Sequence, residues 1–289
     1  MAKNKTEMRE AVYQDIKDTI CDLQDKKKDF THINSNYTNT VIVDEQVIKW
    51  VKEKRSDKVF MAYRMILQDL EKNPLAHSVN SKVWDTMNYW NMEDDVEDFK
   101  LDHAINIDIT SCYAYTLRTE RLISEKTLDI LLSLEKQDRL PAVGMLAYNR
   151  RVFKYESGIL VDIEQDKSPW CSIFFFIIYK VQQLFMELKD LSESYYIFHW
   201  VDGIFLFPDT PQVLLDAIEQ RISQEGYLLK YESCREFSFT RKGKVLGIEF
   251  KKGGEPKSYL IRDAYYEQHF NRIVRALHEM QSKPDFWVN

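Results

Sequence analysis

Apolar residues recur every three or four positions through the first hundred residues. Met8, Val12, Ile16, Ile20 and Leu23 form one such series. Val47, Trp50 and Val51, followed by Phe60, Tyr63, Leu67 and Leu70, form another, so the stretch predicts amphipathic helices. Asp44 and Asn80 stand where helix caps are wanted, and the charge run Asp25 to Asp29 reads as a solvated helix end. From about residue 103 the period changes. Ala104, Ile105 and Ile107 lead into Asp108 as a buried strand would, and a helical stretch follows. Ser124 can cap a helix through Leu128, Leu131, Leu132 and Leu134 that continues or restarts across Arg139 to Tyr148. Short strands around Val152 to Phe153 and Ile159 to Ile163 flank Ser157-Gly158, a hairpin signal, and Pro169 opens a long helix to Leu191.

Two apolar runs, Tyr195 to Val201 and Ile204 to Phe207, are joined by Asp202-Gly203, which predicts a hairpin with a type I′ turn. Thr210 and Pro211 start a helix on Val213, Leu214, Ala217, Ile218 and Ile222; Gly226 ends it, and Tyr227 to Tyr231 follows as a strand. The order from Ala104 to Tyr231 is strand, helices, hairpin, helix, strand. That order predicts an α+β chain with a palm-like split βαβ antiparallel sheet and helices on one face. The expected division is a mainly helical N-terminal region, 1–100, and a palm-like domain, 101–289, with a C-terminal helical extension. No repeat and no Pro- or Gly-rich linker marks that boundary.

Sixteen Tyr, sixteen Phe and six Trp supply the aromatic surface of a folded core and exclude a disordered chain. The net charge of −6 argues against an indiscriminate nucleic-acid binder and leaves room for a local basic groove. Four cysteines, Cys21, Cys112, Cys171 and Cys234, lack paired spacing, which excludes a zinc ribbon and suits reduced thiols. Met1 to Glu10 is polar, and the most apolar run, Ile173 to Ile178, is far shorter than the roughly 20 residues of a bilayer span. No membrane is expected as a partner, and the expected location is cytoplasmic.

In the predicted topology the end of the first strand and the turn of the central hairpin lie side by side, which brings Asp108 and Asp202 together. Two carboxylates there suit a pair of magnesium ions about 3.5 to 4 Å apart, one activating a 3′-hydroxyl and one holding a triphosphate. Manganese could stand in for magnesium. His199 reads as a satisfied histidine rather than a general base.

Asp108-Ile109-Thr110-Ser111-Cys112-Tyr113-Ala114 resembles the first palm motif of family B DNA polymerases, an Asp, two variable residues, Ser, Leu, Tyr and Pro. Lys136 to Gly144 resembles their fingers motif through its Lys and Gly. Phe198-His199-Trp200-Val201-Asp202-Gly203 is similar to the third motif, with Asp202 as the second Asp and Trp200 in place of the first. Arg241-Lys242-Gly243-Lys244-Val245-Leu246-Gly247 is a looser match to the basic segment that grips primer phosphates. The resemblance covers residues 104–250. It implies metal binding by Asp108, Asp202 and the Ile109 carbonyl, and a phosphate cradle from the amides of Ile109, Thr110, Ser111 and Cys112. It further implies charge neutralisation on the triphosphate by Lys136 and Arg139, Tyr113 beneath the incoming sugar, and primer contact through Arg241, Lys242 and Lys244.

The expected activity is template-directed nucleotidyl transfer from nucleoside triphosphates on a primer-template, without a proofreading nuclease. The 28 positions from Asp108 to Lys136 leave room only for a reduced fingers segment near 117–150. Small palms of this kind resemble products of phages or mobile elements, and a replication partner could dock on the N-terminal helices. Two alternatives stay open. Asp108 to Tyr113, Trp200-Val201-Asp202-Gly203 and Gly226 to Gly247 also resemble reverse-transcriptase motifs, though that reading gives Lys136 no role. A palm-derived binding module without catalysis is the other, since the third motif has a single carboxylate.

Overall fold

The computed structural model describes residues 5–35, 37–51, 56–84, 90–92, 98–242 and 245–262. In chain order the elements are α1 (Lys5–Asp25), β1 (Phe30–Ser35), β2 (Thr38–Val43), β3 (Gln46–Val51), α2 (Asp57–Glu71), α3 (Pro74–Asn80), β4 (Trp90–Met92) and β5 (Phe99–Ile109). There follow α4 (Cys112–Thr119), α5 (Glu125–Ser133), α6 (Lys136–Gly144), β6 (Asn149–Glu156), β7 (Ile159–Lys167) and α7 (Cys171–Ser192). The last are β8 (Tyr196–Trp200), β9 (Gly203–Leu206), α8 (Gln212–Gln224), β10 (Leu229–Lys242), β11 (Val245–Lys252) and β12 (Glu255–Arg262). Among the described residues this is an α+β protein with two antiparallel sheets. The chain forms two compact units, Met1–Ser81 with Leu122–Phe174 and Lys82–Arg121 with Phe175–Asn289. That division differs from the one expected at residue 100: the segment near 117–150 mostly belongs with the N-terminal residues. The expected C-terminal helical extension, 263–289, lies outside the described residues.

The first unit carries a five-stranded sheet in the order β3-β2-β1-β6-β7. Leu23 of α1 packs on Phe30, Val41 and Val43, with Ile20, Trp50 and Tyr155 at the margin. Of the apolar series through α1, Ile16 and Leu23 are buried and Val12 and Ile20 partly so, as expected, while the Met8 side chain lies outside the described residues. Val47, Trp50 and Val51 instead lie on β3, which pairs with β2 from Thr38↔Val51 to Val43↔Gln46. Their spacing mimicked a helix, but two β-branched residues beside a two-residue turn favour a strand. Asp44 is no cap; with Glu45 it forms that turn, at φ 47° and 65°. Ser157 and Gly158 form the expected second turn, at φ 50° and 76°. α2 buries Val59, Ala62, Ile66 and Leu70; of the expected series, Leu70 is buried, Tyr63 and Leu67 are half-buried and Phe60 is exposed. The buried stripe is shifted by about one residue from the expected one, toward Val59, Ala62 and Ile66. Asn80 closes α3 instead of capping it, and its side-chain amide donates to the Pro169 carbonyl.

The second unit carries a seven-stranded sheet in the order β12-β11-β10-β5-β9-β8-β4. One face is covered by helices: Ile107, Ile109, Ile204 and Leu206 pack on Val181, Leu184, Phe185 and Leu188 of α7 and on Leu215, Ile218 and Ile222 of α8. Alternation sends Ala104, Phe205, Cys234, Phe237, Phe239, Ile248 and Phe250 into a second cluster. α7 with the turn after it, Cys171–Tyr195, is long and apolar enough to cross a membrane by length and composition, and half of its most apolar window is buried. α8 ends in paired bonds, Gly226 N–H to the Ser223 carbonyl and Tyr227 N–H to the Ile222 carbonyl, which put Gly226 at φ 80°. Val213, expected in its apolar face, is 77% exposed.

Candidate active site

Asp108 is the penultimate residue of β5. It faces Gly203 across one ladder and Lys230 across the other. The Ile109 N–H donates to the Asp202 carbonyl at 2.8 Å, and the Thr110 N–H donates to the Leu228 carbonyl at 2.8 Å. The chain leaving β5 is thus pinned between the β8–β9 turn and the start of β10, and Asp108 and Asp202 meet at one end of the sheet. A Cβ on Gly203 would stand 3.0 Å from Asn106 Nδ2 and 3.3 Å from Asp108 Oδ1. Asn106, 2% exposed, donates through that nitrogen to the Ile204 carbonyl at 3.2 Å, tying β9 to β5 beside the acidic pair.

The turn itself differs from the expected Asp202-Gly203. Trp200 pairs with Gly203, so Val201 and Asp202 are its central residues, and Val201 takes φ 55°. Gly203 belongs to β9, where a Cβ would crowd the side chains of Asn106 and Asp108. His199 is fully buried, with Nδ1 3.1 Å from the Tyr196 hydroxyl and its ring against Phe185. It is a core histidine. Trp200 packs at the margin of the aromatic cluster, opposite Trp90 of β4.

Ser111 turns the chain into α4 with a left-handed backbone, φ 53° and ψ 35°. The expected four-amide cradle shrinks here, because Ile109 and Thr110 have spent their N–H groups on backbone carbonyls; Ser111 and Cys112 remain at the helix start. Cys112, buried in the core cluster beneath the helices, feels the charges of both carboxylates. Burial, then the charge of Asp202, raise its thiol well above the usual range; a bond with Thr116 opposes this and the charge of Asp108 adds to it. A protonated thiol is neither a nucleophile nor a metal ligand at neutral pH. Tyr113 is half-buried on α4.

Lys136 and Arg139 stand on α6 of the first unit. Lys136 is exposed at the first helical position, and Arg139 donates from Nη1 to the Leu134 carbonyl at 3.1 Å. Arg241 and Lys242 end β10 opposite Leu246 and Val245, and Lys244 lies outside the described residues. Along β10, Arg241 is eleven residues past Lys230, the partner of Asp108. At about 3.3 Å per residue that is about 36 Å from the acidic pair. Two basic residues lie near Asp108, its ladder partner Lys230 and Lys252, neither of which the sequence alone singles out. β11 runs back from Val245 and ends with Lys252 opposite Cys234. Burial works against the Lys252 charge, but its bond to Glu232 and the carboxylate of Asp108 outweigh burial and raise the ammonium above its ordinary value. Only antiparallel pairing reveals this; the Lys251-Lys252-Gly253-Gly254 string was the available signal.

Among the described residues no group of three or more His, Cys, Asp or Glu side chains is placed to hold a metal ion. The donor set at the pair is two carboxylates at adjacent strand ends. That fits Mg²⁺, which uses one or two carboxylates and completes its shell with substrate phosphates and water. A scan against protein-family models finds no match for the chain, and a search of curated proteins finds none.

Proposed function

We propose that the protein is a template-directed nucleotidyltransferase whose second unit is a polymerase palm, with Asp108 and Asp202 as ligands of two divalent cations. The observation that carries this reading is the convergence of two acidic residues 94 positions apart, through the Ile109–Asp202 hydrogen bond of 2.8 Å and the Asp108–Gly203 pairing. The order β10-β5-β9-β8 also supports it, since this is the strand order of a split βαβ sheet whose first strand ends beside its central hairpin turn. Bound divalent cations would lower the pKa of the attacking 3′-hydroxyl and balance charge on the triphosphate.

The chain's own residues orient the reactants. Asp108 from the end of β5 and Asp202 from the β8–β9 turn fix the cation positions, and the amides of Ser111 and Cys112 offer donors to phosphate oxygens at the start of α4. Tyr113, on the same helix, presents a ring to the incoming sugar. In this reading the Asp202 carbonyl bond to Ile109 keeps both ligands in one frame.

Primer extension with Mg²⁺ on DNA and RNA templates tests the proposal. Extension by the wild-type protein should disappear in Asp108→Ala and in Asp202→Ala. Incorporation that both variants retain ends it, and extension confined to RNA templates moves it to the reverse-transcriptase reading.

A further inference from the structure

A groove of about 670 Å³ opens between β10 and the end of β11, starting at Lys230, the ladder partner of Asp108. Its walls carry four cations, Lys230, Arg235, Lys251 and Lys252, against two carboxylates, Glu232 and Glu236. On a chain of net charge −6 this is a local surplus of positive charge. The groove starts next to the proposed chemistry, because Lys230 is the ladder partner of Asp108. It ends at the Gly253-Gly254 turn, both residues at positive φ and both with open space around a notional Cβ, so a ligand's backbone can approach closely there.

The cations are held in two ways. Lys230 and Lys252 share Glu232, which is itself half-buried. Lys251 pairs with Glu236 at 2.6 Å, with both side chains about half exposed, and Arg235 makes no ion pair among the described residues. Glu236 takes φ 52° at a register shift in β10 between Arg235 and Ser238. A bulge next to a site re-aims side chains, and a left-handed non-glycine residue there costs free energy that a purely structural strand would avoid.

We propose that this groove binds the phosphodiester backbone of the nucleic-acid strand that reaches Asp108 and Asp202, with Glu236 as an internal anion that phosphate displaces from Lys251. The inference rests on the nucleotidyltransferase reading for its ligand, and it replaces the Arg241 to Lys244 tip as the primer contact. A phosphodiester presents one charge every few ångströms, which matches several cations spread over the neighbouring strands β10 and β11 better than a single anion would.

The test is fluorescence anisotropy of a labelled primer-template with the full-length protein in EDTA, so that neither cations nor nucleotide transfer enter the readout. Arg235→Glu with Lys251→Glu should weaken binding at least about tenfold near 100 mM salt and flatten the slope of log K against log salt by about two units. Both side chains are exposed, and thermal melts by circular dichroism verify folding. Glu236→Gln should tighten binding a few-fold, and Lys58→Glu with Lys126→Glu, the same charge change on α2 and α5, should do far less. Wild-type protein that does not bind, reversal variants with unchanged affinity and slope, an equal loss in the α2 and α5 control, or equally tight binding of polyglutamate would each overturn the groove. Duplex binding indifferent to the reversal removes the groove and leaves the extension test standing. Extension retained by the aspartate variants removes the nucleotidyltransferase reading and leaves the binding result intact.

Discussion

Val201, one residue before Asp202, holds the backbone at φ 55°. A branched Cβ in that region crowds the following carbonyl at a cost of about 1–2 kcal/mol, and such strain gathers at functional turns. Val201→Gly removes the crowding and adds unfolded-state entropy of about 0.5–1 kcal/mol, so the melting temperature should not fall. Nucleotide incorporation should fall, because a freer turn lets Asp202 wander. A variant that melts several degrees lower, with full activity, would mean that the turn carries no functional strain. Gly203→Ala tests the neighbouring constraint: its methyl would meet Asn106 Nδ2 at 3.0 Å and Asp108 Oδ1 at 3.3 Å, forcing the carboxylate aside by a few tenths of an ångström. Extension should drop by about tenfold while the melt changes little. At this scale the closeness of Asp108 and Asp202 was legible, because the strand order read from Ala104 to Tyr231 already brings the end of the first strand beside the hairpin turn. The role of Gly203 was not: Asp-Gly reads as a turn, and only the side chains opposite explain why the glycine sits in the strand instead.

Elements were legible where local chemistry decides them. Ser124 was expected to cap α5, and its hydroxyl accepts from the Thr127 N–H at 3.3 Å. What the sequence hid was the partner of that cap, since Asp69 of α2 accepts from both the N–H and the hydroxyl of Ser124 at 2.8 Å. Burial raises the Asp69 carboxyl, but the bonds from the Ser124 amide, Thr127 and the Ser124 hydroxyl, with the Lys72 charge, outweigh it and hold the group below its usual range. A depressed folded-state value means stability that is present above about pH 4, the unfolded value, and lost as pH falls through the folded one. Asp69→Asn should therefore lose about 1 kcal/mol at pH 7, and the gap from wild type should close in urea melts taken below about pH 4. A gap that stays constant with pH would show that shape, not charge, joins α2 to α5. β3 was misread for the opposite reason: a six-residue strand is too short for its period to beat an accidental helical spacing, and the pairing with β2 that decides it is non-local.

The whole molecule departs most from the sequence reading, because its two units interleave along the chain. The chain passes between them near residues 81, 121 and 174. A boundary at residue 100 was the natural inference from a change of hydrophobic period, and no periodicity can register that β6 seeks β1, more than a hundred residues upstream. That pairing, Phe30↔Tyr155 through Ser35↔Arg150, with the stacked rings of Phe30 and Tyr155 at 4.2 Å, places β6 and β7 in the sheet of the N-terminal unit. A fragment of residues 101–289 would keep β5 from Leu101 onward, α7, α8 and β8 to β12 but leave β6 and β7 as an isolated hairpin, which is marginal in water. It would also lose β4 from the edge of the larger sheet. The fragment should therefore show a single melt well below that of the full chain, with rapid amide exchange across residues 149–167 and protection retained in β5, β9 and β10. Slow exchange in β6 and β7 of the fragment would mean that the hairpin is held by the second unit, and the division into interleaved units would fall with it.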